Sequence, residues 1–385
     1  MIRNTYRMQR LLITFFYNPS RMKIKDILNC IERKAPLSLQ ESYDNAGLQV
    51  GDAEREVTGV LLCLDATPAV LQEAIDLGVN LIISHHPLIF KEIKSICKGN
   101  VLGDMLFTAI EKGICIYSAH TNLDSMLGGV SYALAKQLGL KNLTPMDVSN
   151  GKLYKLVVFV PQTHKDAVCD ALFAAGAGML GNYTHCSFSA DGVGTFLPQD
   201  GANPFIGSVA SQTSVAESRV EVLVKESNLS QVTKALRASH PYEEPAYDVI
   251  AIENQYVKSA LGVVGELEEP LDVAAFLQHV KQVTGASVRY TETNRTTIQR
   301  IALCGGSGSF LIPKALSLGV DAYLTGDIKY HDFFLASSSL LLADIGHYES
   351  EKFALSLLGE LIEADYAGQL QILETQVKTN PINYI

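Results

Sequence analysis

From residue 57 the chain alternates unbroken apolar runs with helical stretches that close on glycine: VTGVLLCLD, PAVLQEAIDLG, NLIISHHP, GDMLFTAIEKG, ICIYSAH and VSYALAKQLG. A strand that is apolar at nearly every position has to be covered on both faces. That requirement selects an α/β fold of β-α units with parallel or mixed strands. The same style returns in RIALCGGSG, IPKALSLG, DAYLTGD, LLLADIGH, ESEKFALSLLGELIEAD and QLQILET. The two stretches read as halves of one discontinuous domain.

Between them the texture changes. KLVVFVP, HKDAVCDALFAAGAG, a hairpin-like stretch, RVEVLVKE, NLSQVTKALRASH and YDVIAIE give strand, helix, strands, helix and strand. That is βαβ twice over, a ferredoxin-like α+β plan. Its first and last strands lie side by side, so its ends are close and it fits into another domain's loop with little strain. The expected organisation is therefore an extension over 1–21, an α/β domain over 22–150 and 258–385, and an insertion over 151–257. The amphipathic pattern of a core helix begins only at Met22, so residues 1–21 are expected to be a disordered extension or the product of a wrongly chosen upstream start codon. Its apolar run, Leu11 to Tyr17, is too short to span a membrane and lacks the small residues of a cleavable signal. The stretch GVGTFLPQDGANPFIGSVASQTS is Gly/Ser-rich and reads as a short mobile excursion.

Composition narrows the partners. With 385 residues, at roughly 150 residues per domain, two or three cored domains are expected. A net charge of −10 without a basic cluster repels polyanions, so nucleic acid is not an expected partner. Cysteines 30, 63, 97, 115, 169, 186 and 304 are odd in number, scattered, and form no C-x-x-C pair. They suit a reducing, cytoplasmic setting and argue against both disulfides and a thiolate zinc site.

The histidines are unevenly placed. His85 and His86 end LIISHHP, His120 ends ICIYSAH, His331 follows DAYLTGDIKY and His347 ends LLLADIGH. Ligands of open α/β sheets bind beyond the carboxyl ends of strands, so these imidazoles converge on one rim. His120 and Asp124, and His347 and Glu351, are spaced to share a helix face. A single strand-end histidine is commonly just a hydrogen-bonded structural residue. Three such features together, including a His-His pair stopped by Pro87, point to metal. Histidine with carboxylate suits zinc, manganese, iron, cobalt or nickel, and one glutamate can bridge two ions. With five or six ligands, two adjacent ions fit better than one.

Weaker features stand beside these. Gly305, Gly306, Ser307 and Gly308 could cradle a phosphate through backbone N–H groups, or simply turn the chain. Asp327 and His331 could orient ligands or move protons, or cap a helix. Asp44 and Asn45 read as turn formers, HPYEEPAYDV (240–249) as a rigid loop or subunit contact, and His164, His185 and His279 as surface or structural residues.

In order and spacing, SHHPLIF, SAHTNLD, GGSGS, TGDIKYHD and DIGHYESE closely resemble the Ngg-interacting-factor-three (NIF three-like) family, also called GTP cyclohydrolase I type 2 homologues. The resemblance runs from Met22 to the C-terminus, and the insertion looks like the PII/CutA-like module of longer bacterial members. Tyr43 departs from the pattern, standing where the family often has Trp before Asp-Asn. The resemblance implies a dinuclear centre, with His85 and His86 on one ion each, Asp124 and His347 adding one ligand each, and Glu351 bridging. His120 would be a further site histidine. It also implies a toroidal homohexamer and hydrolytic opening of the guanine ring of GTP, with His120 or His331 moving protons. Two other functions remain open on the same ligands: a non-catalytic metal-binding, metal-delivery or regulatory oligomer, and a dinuclear phosphoesterase.

Overall fold

The computed structural model describes residues 22–385; the expectation for 1–21 lies outside them. The chain forms two compact units, one running to Asp147 and resuming over Leu261–Ile385, the other Val148–Ala260. Both are mixed α/β.

The first unit holds a five-stranded sheet in the order Gly47–Val50, Cys115–Ser118, Leu81–His86, Val60–Asp65, Ile372–Glu374. All neighbours are parallel except the first pair. Leucine, isoleucine and valine at consecutive positions are needed because each face is covered. Val60, Leu62, Leu81 and Ile83 pack on helices Ile24–Lys34 and Ala354–Tyr366, and Leu61, Cys63 and Ile82 on Pro68–Leu77 and Val101–Lys112. The latter two helices have punctuation at both ends. Thr67 and Asn100 cap their N-termini through side-chain oxygens, Pro68 takes the first turn, and Gly78 and Gly113 end them at φ of 70° and 67°.

A second sheet in this unit orders residues 261–272, Thr297–Ser307, Ala322–Gly326, Leu341–Asp344 and Arg289–Tyr290. Its central strands are parallel and its outer pairs antiparallel. One face packs on helix Val273–Thr284 through Phe276 and Val280, the other around Tyr323, Ile312 and Leu342. The parallel strands of both sheets present their carboxyl ends to the short connections that carry the histidines.

In Val148–Ala260 the strand order is Ser187–Phe196, Thr213–Lys225, 148–161, 247–260, with helices Lys165–Ala174 and Leu229–Ser239 in the connections. Leu156, Val158, Val160, Val220, Val222 and Val224 alternate inward to meet Val168, Leu172, Val232 and Leu236 of these helices. The intervening residues, among them Phe159, Glu217 and Arg219, therefore face away from the helices. The Gly/Ser-rich stretch begins as part of the strand Ser187–Phe196 rather than as loop.

Candidate metal centre

Four local structures deliver the ligand candidates. His85 and His86 are the last residues of Leu81–His86, where Pro87 stops the strand. His120 precedes the one-turn helix Thr121–Ser125, which carries Asp124. His347 and Glu351 are the first and last residues of His347–Glu351, which starts after Gly346 at φ 82°. Four residues apart on a helix, they share a face, and His347 Nε2 lies 2.9 Å from Glu351 Oε2.

The two oxygens of the Glu351 carboxylate face different donors. Oε2 is 2.9 Å from His86 Nε2 and 2.9 Å from His347 Nε2, and those two nitrogens are 3.2 Å apart. Oε1 is 3.8 Å from His85 Nε2, which is 3.6 Å from Asp124 Oδ1. Ligands at about 2.0–2.1 Å from a tetrahedral cation stand roughly 3.3 Å from one another, so these separations are those of donors around a cation. His85, His86 and Glu351 keep their ligand atoms within 4.8 Å of one another. His85 Nε2 is also one of two buried side-chain polar atoms without a hydrogen-bond partner among the described residues. A buried lone pair left unmet is costly, and a divalent cation would meet it.

Every ligand imidazole is held from behind through Nδ1. His85 bonds to the Ala119 carbonyl at 2.8 Å, His86 to Asp65 Oδ1 at 2.8 Å and His347 to Asp327 Oδ2 at 2.7 Å. His120 bonds to Asp44 Oδ1 at 2.7 Å, and its ring stands edge-on to those of His85 and His86, 5.4 and 5.5 Å away. Such partners place the proton on Nδ1 and turn Nε2 toward the centre.

Without metal, protons do the work of cations. Burial lowers the affinity of His86 for a proton, but hydrogen bonds to Asp65 and Glu351 outweigh it and push its pKa up to about 10. His347, opposed by burial but bonded to Glu351 and Asp327, rises to about 9. Burial would raise the Glu351 carboxyl, yet hydrogen bonds from His347, His85 and His86 hold it well below the usual range. Burial raises Asp124 to about 6, against the pull of His85. A cluster this rich in carboxylate accepts a dication in exchange for protons.

The five residues His85, His86, Asp124, His347 and Glu351 thus come together, with His120 beside them. Asp327 orients His347. His331 lies in the exposed turn Tyr330–Leu335, its ring 5.2 Å from Tyr330 and 6.4 Å from Phe334, and among the described residues it makes no hydrogen bond or ring contact with the cluster. The N–H groups of Gly305, Gly306 and Gly308 are taken by the hydroxyls of Ser131, Ser350 and Thr325 at 3.2, 2.9 and 2.9 Å. Gly306 has a steric function instead: at φ +63°, a Cβ there would lie 2.0 Å from Glu351 Oε1. Sequence reasoning did not find Asp65, and it read Asp44 only as a turn former. The available signal for Asp65 was an acid closing the apolar strand VLLCLD, which parallel pairing sets directly beside His86.

Comparison with known proteins identifies the chain's relatives. Residues 22–381 match the family described as Duf34/NIF3 (NGG1p interacting factor 3). A Halalkalibacterium halodurans protein called GTP cyclohydrolase 1 type 2 homolog is 38% identical over 365 residues, 93% of this chain and 98% of that protein. A Mycobacterium tuberculosis protein of the same name is 35% identical over 369 residues, 94% of this chain and 97% of that protein. The crystal structure of a Bacillus cereus protein related to NIF3 superposes with a TM-score of 0.83 at 36% identity, covering 95% of this chain and all 100% of that one. With a family match over nearly all of the described residues and relatives 35–38% identical along almost their whole length, the chain belongs to the Duf34/NIF3 family.

Proposed function

We propose that the chain is a metal-dependent hydrolase holding two divalent ions, zinc before manganese, iron, cobalt or nickel, with opening of the guanine ring of GTP as the reaction to test first. The observation that carries this reading is the Glu351 carboxylate, whose two oxygens face two separate donor sets. His85 and Asp124 would hold one ion, His86 and His347 the other, and Glu351 would bridge. A bound pair of ions would supply an acidified water and polarise the bond under attack. The chain's own part is orientation and proton movement. Asp65, Asp327 and the Ala119 carbonyl lock the ligand rings, so no reorganisation is required when substrate arrives. Asp44 fixes the proton of His120 on Nδ1, leaving Nε2 to take a proton and return it.

The names of the relatives support the guanine-nucleotide substrate. We further read Val148–Ala260 as a PII/CutA-like module, which its strand order supports, and the assembly as a toroidal homohexamer, which the family resemblance supports. A cytoplasmic location is supported by seven free cysteines; no described helix is long and apolar enough to cross a membrane.

The test is metal content per chain, followed by turnover of GTP and of simple phosphoesters by the wild type and by Glu351→Ala. Loss of metal and GTP turnover together in the variant is the expected result. Turnover of phosphoesters alone would replace ring opening with phosphoester hydrolysis. Full occupancy with no turnover would replace catalysis with metal carriage or regulation.

A further inference from the structure

The sheet face of Val148–Ala260 that turns away from its helices carries a cavity of about 650 Å³, within the roughly 300–1,000 Å³ of small-molecule sites. Its floor is made possible by small residues. Ala190, Gly192 and Gly194 occupy alternate positions of Ser187–Phe196 and pair across from Arg219, Glu217 and Val215. The motif HPYEEPAYDV and the Gly/Ser-rich stretch, neither of which the metal centre uses, supply its walls.

Its charge is one-sided. Glu217, Glu243 and Glu244 line it, against Arg219, whose guanidinium is already paired with Glu221 at 3.0 Å; Asp191 turns its carboxylate to the Ser218 hydroxyl on the helix side. Glu217 is 8% exposed. Its Oε1 accepts a hydrogen bond from the Tyr242 hydroxyl at 2.8 Å, while no donor reaches Oε2 among the described residues. Burial and Glu217 together hold the Tyr242 hydroxyl well above its usual range, so it remains the donor. Gly194 faces the unpaired oxygen, where a Cβ would stand 2.1 Å from Oε2. Beside the carboxylate lies an aromatic group, with the Tyr242 ring 5.9 Å from Phe196 and 6.5 Å from Phe205. Glu243 accepts the Asn203 N–H at 2.9 Å, tying the stretch that carries Phe205 over the opening.

From this arrangement we infer that the cavity binds a small organic cation, an ammonium or guanidinium group on an apolar body. The charged head meets Glu217 Oε2, and the body lies among Phe196, Phe205 and Tyr242, whose ring faces attract cations. Anions are excluded by the carboxylates of Glu217, Glu243 and Glu244. A neutral ligand of the same shape would leave Oε2 without a charged partner.

Phenethylammonium, agmatine and spermidine, titrated calorimetrically into the full-length protein, test this, with 2-phenylethanol and phenylacetate as neutral and anionic counterparts of the first. At least one cation is expected to bind at sub-millimolar Kd, and the aryl cation at least roughly tenfold tighter than the alcohol. Phenylacetate is expected not to bind. Glu217→Gln should abolish the preference for cation over alcohol while metal content and circular dichroism stay unchanged. Phe205→Ala, at a half-exposed position, should weaken cation and alcohol together. The inference is overturned if no cation saturates the protein by about 10 mM, as when a second copy of the chain covers this face, or if Glu217→Gln binds cations as the wild type does.

Discussion

Gly306 separates backbone strain from the steric demand of the Glu351 carboxylate. Its φ is +63°, and a methyl group there would stand 2.0 Å from Glu351 Oε1 and 3.0 Å from the carboxylate carbon. A left-handed backbone costs a non-glycine residue roughly 1–2 kcal/mol. Overpacking adds about 1–3 kcal/mol. Gly306→Ala should therefore destabilise the metal-free protein by about 2–5 kcal/mol. Gly319 provides the control, because it has the same φ of +63° with nothing within 4 Å of the added carbon. Gly319→Ala should cost only about 1–2 kcal/mol. Denaturant unfolding of both variants in chelator measures the difference. Metal analysis adds a directional check. The displaced oxygen is the one facing His85 and Asp124, so Gly306→Ala should lose the ion on that side and keep the one held by His86 and His347. Should Gly306→Ala match Gly319→Ala in stability and retain both ions, the glycine is not making room for the carboxylate and the bridging reading of Glu351 fails.

Three further outcomes are expected. Asp65→Asn removes the acceptor behind His86 and should weaken metal binding by roughly 10–100-fold without unfolding the chain, as read by competition with a chromophoric chelator. Asp44→Asn loosens His120 and should lower turnover by about 10–100-fold while metal content is unchanged. The third concerns pH. His86 and His347, raised to about 10 and about 9, stabilise the metal-free fold fully below the unfolded histidine pKa near 6.5 and progressively less as pH rises through 9–10. Thermal unfolding in chelator should thus fall between pH 7 and 10 more steeply than that of protein loaded with ions; parallel curves would contradict the assignment of those protons.

What could be read from the sequence was local. A strand ending in His85-His86-Pro87 and a helix opening on His347 with Glu351 a turn later are patterns of neighbours, and the structure has both elements as expected. The mixed α/β architecture was legible for the same reason, since apolar runs covered on both faces leave a periodic trace. Contacts between distant segments left no such trace. Asp65 meets His86 only because two parallel strands align, and Asp44 meets His120 across 76 positions. GGSGS illustrates the opposite failure: glycine is compatible with an anion cradle and with close packing alike, and only the position of Glu351 Oε1 reveals the second. The cavity over Gly192 and Gly194 was hidden in a stretch that reads as loop, because a trough made by missing side chains has no hydrophobic signature.

The order of the ligands along the chain bears on how the protein is made. His86 and Glu351, which touch in the finished molecule, are separated by 265 positions. At roughly 5–20 residues per second, a ribosome needs on the order of 13–50 s to deliver the second after the first. Throughout that interval the nascent chain holds an unfinished claw that cannot retain a cation as the complete centre would. On the proposed function, ion capture would have to wait until Glu351 had been made, long after the first ligands.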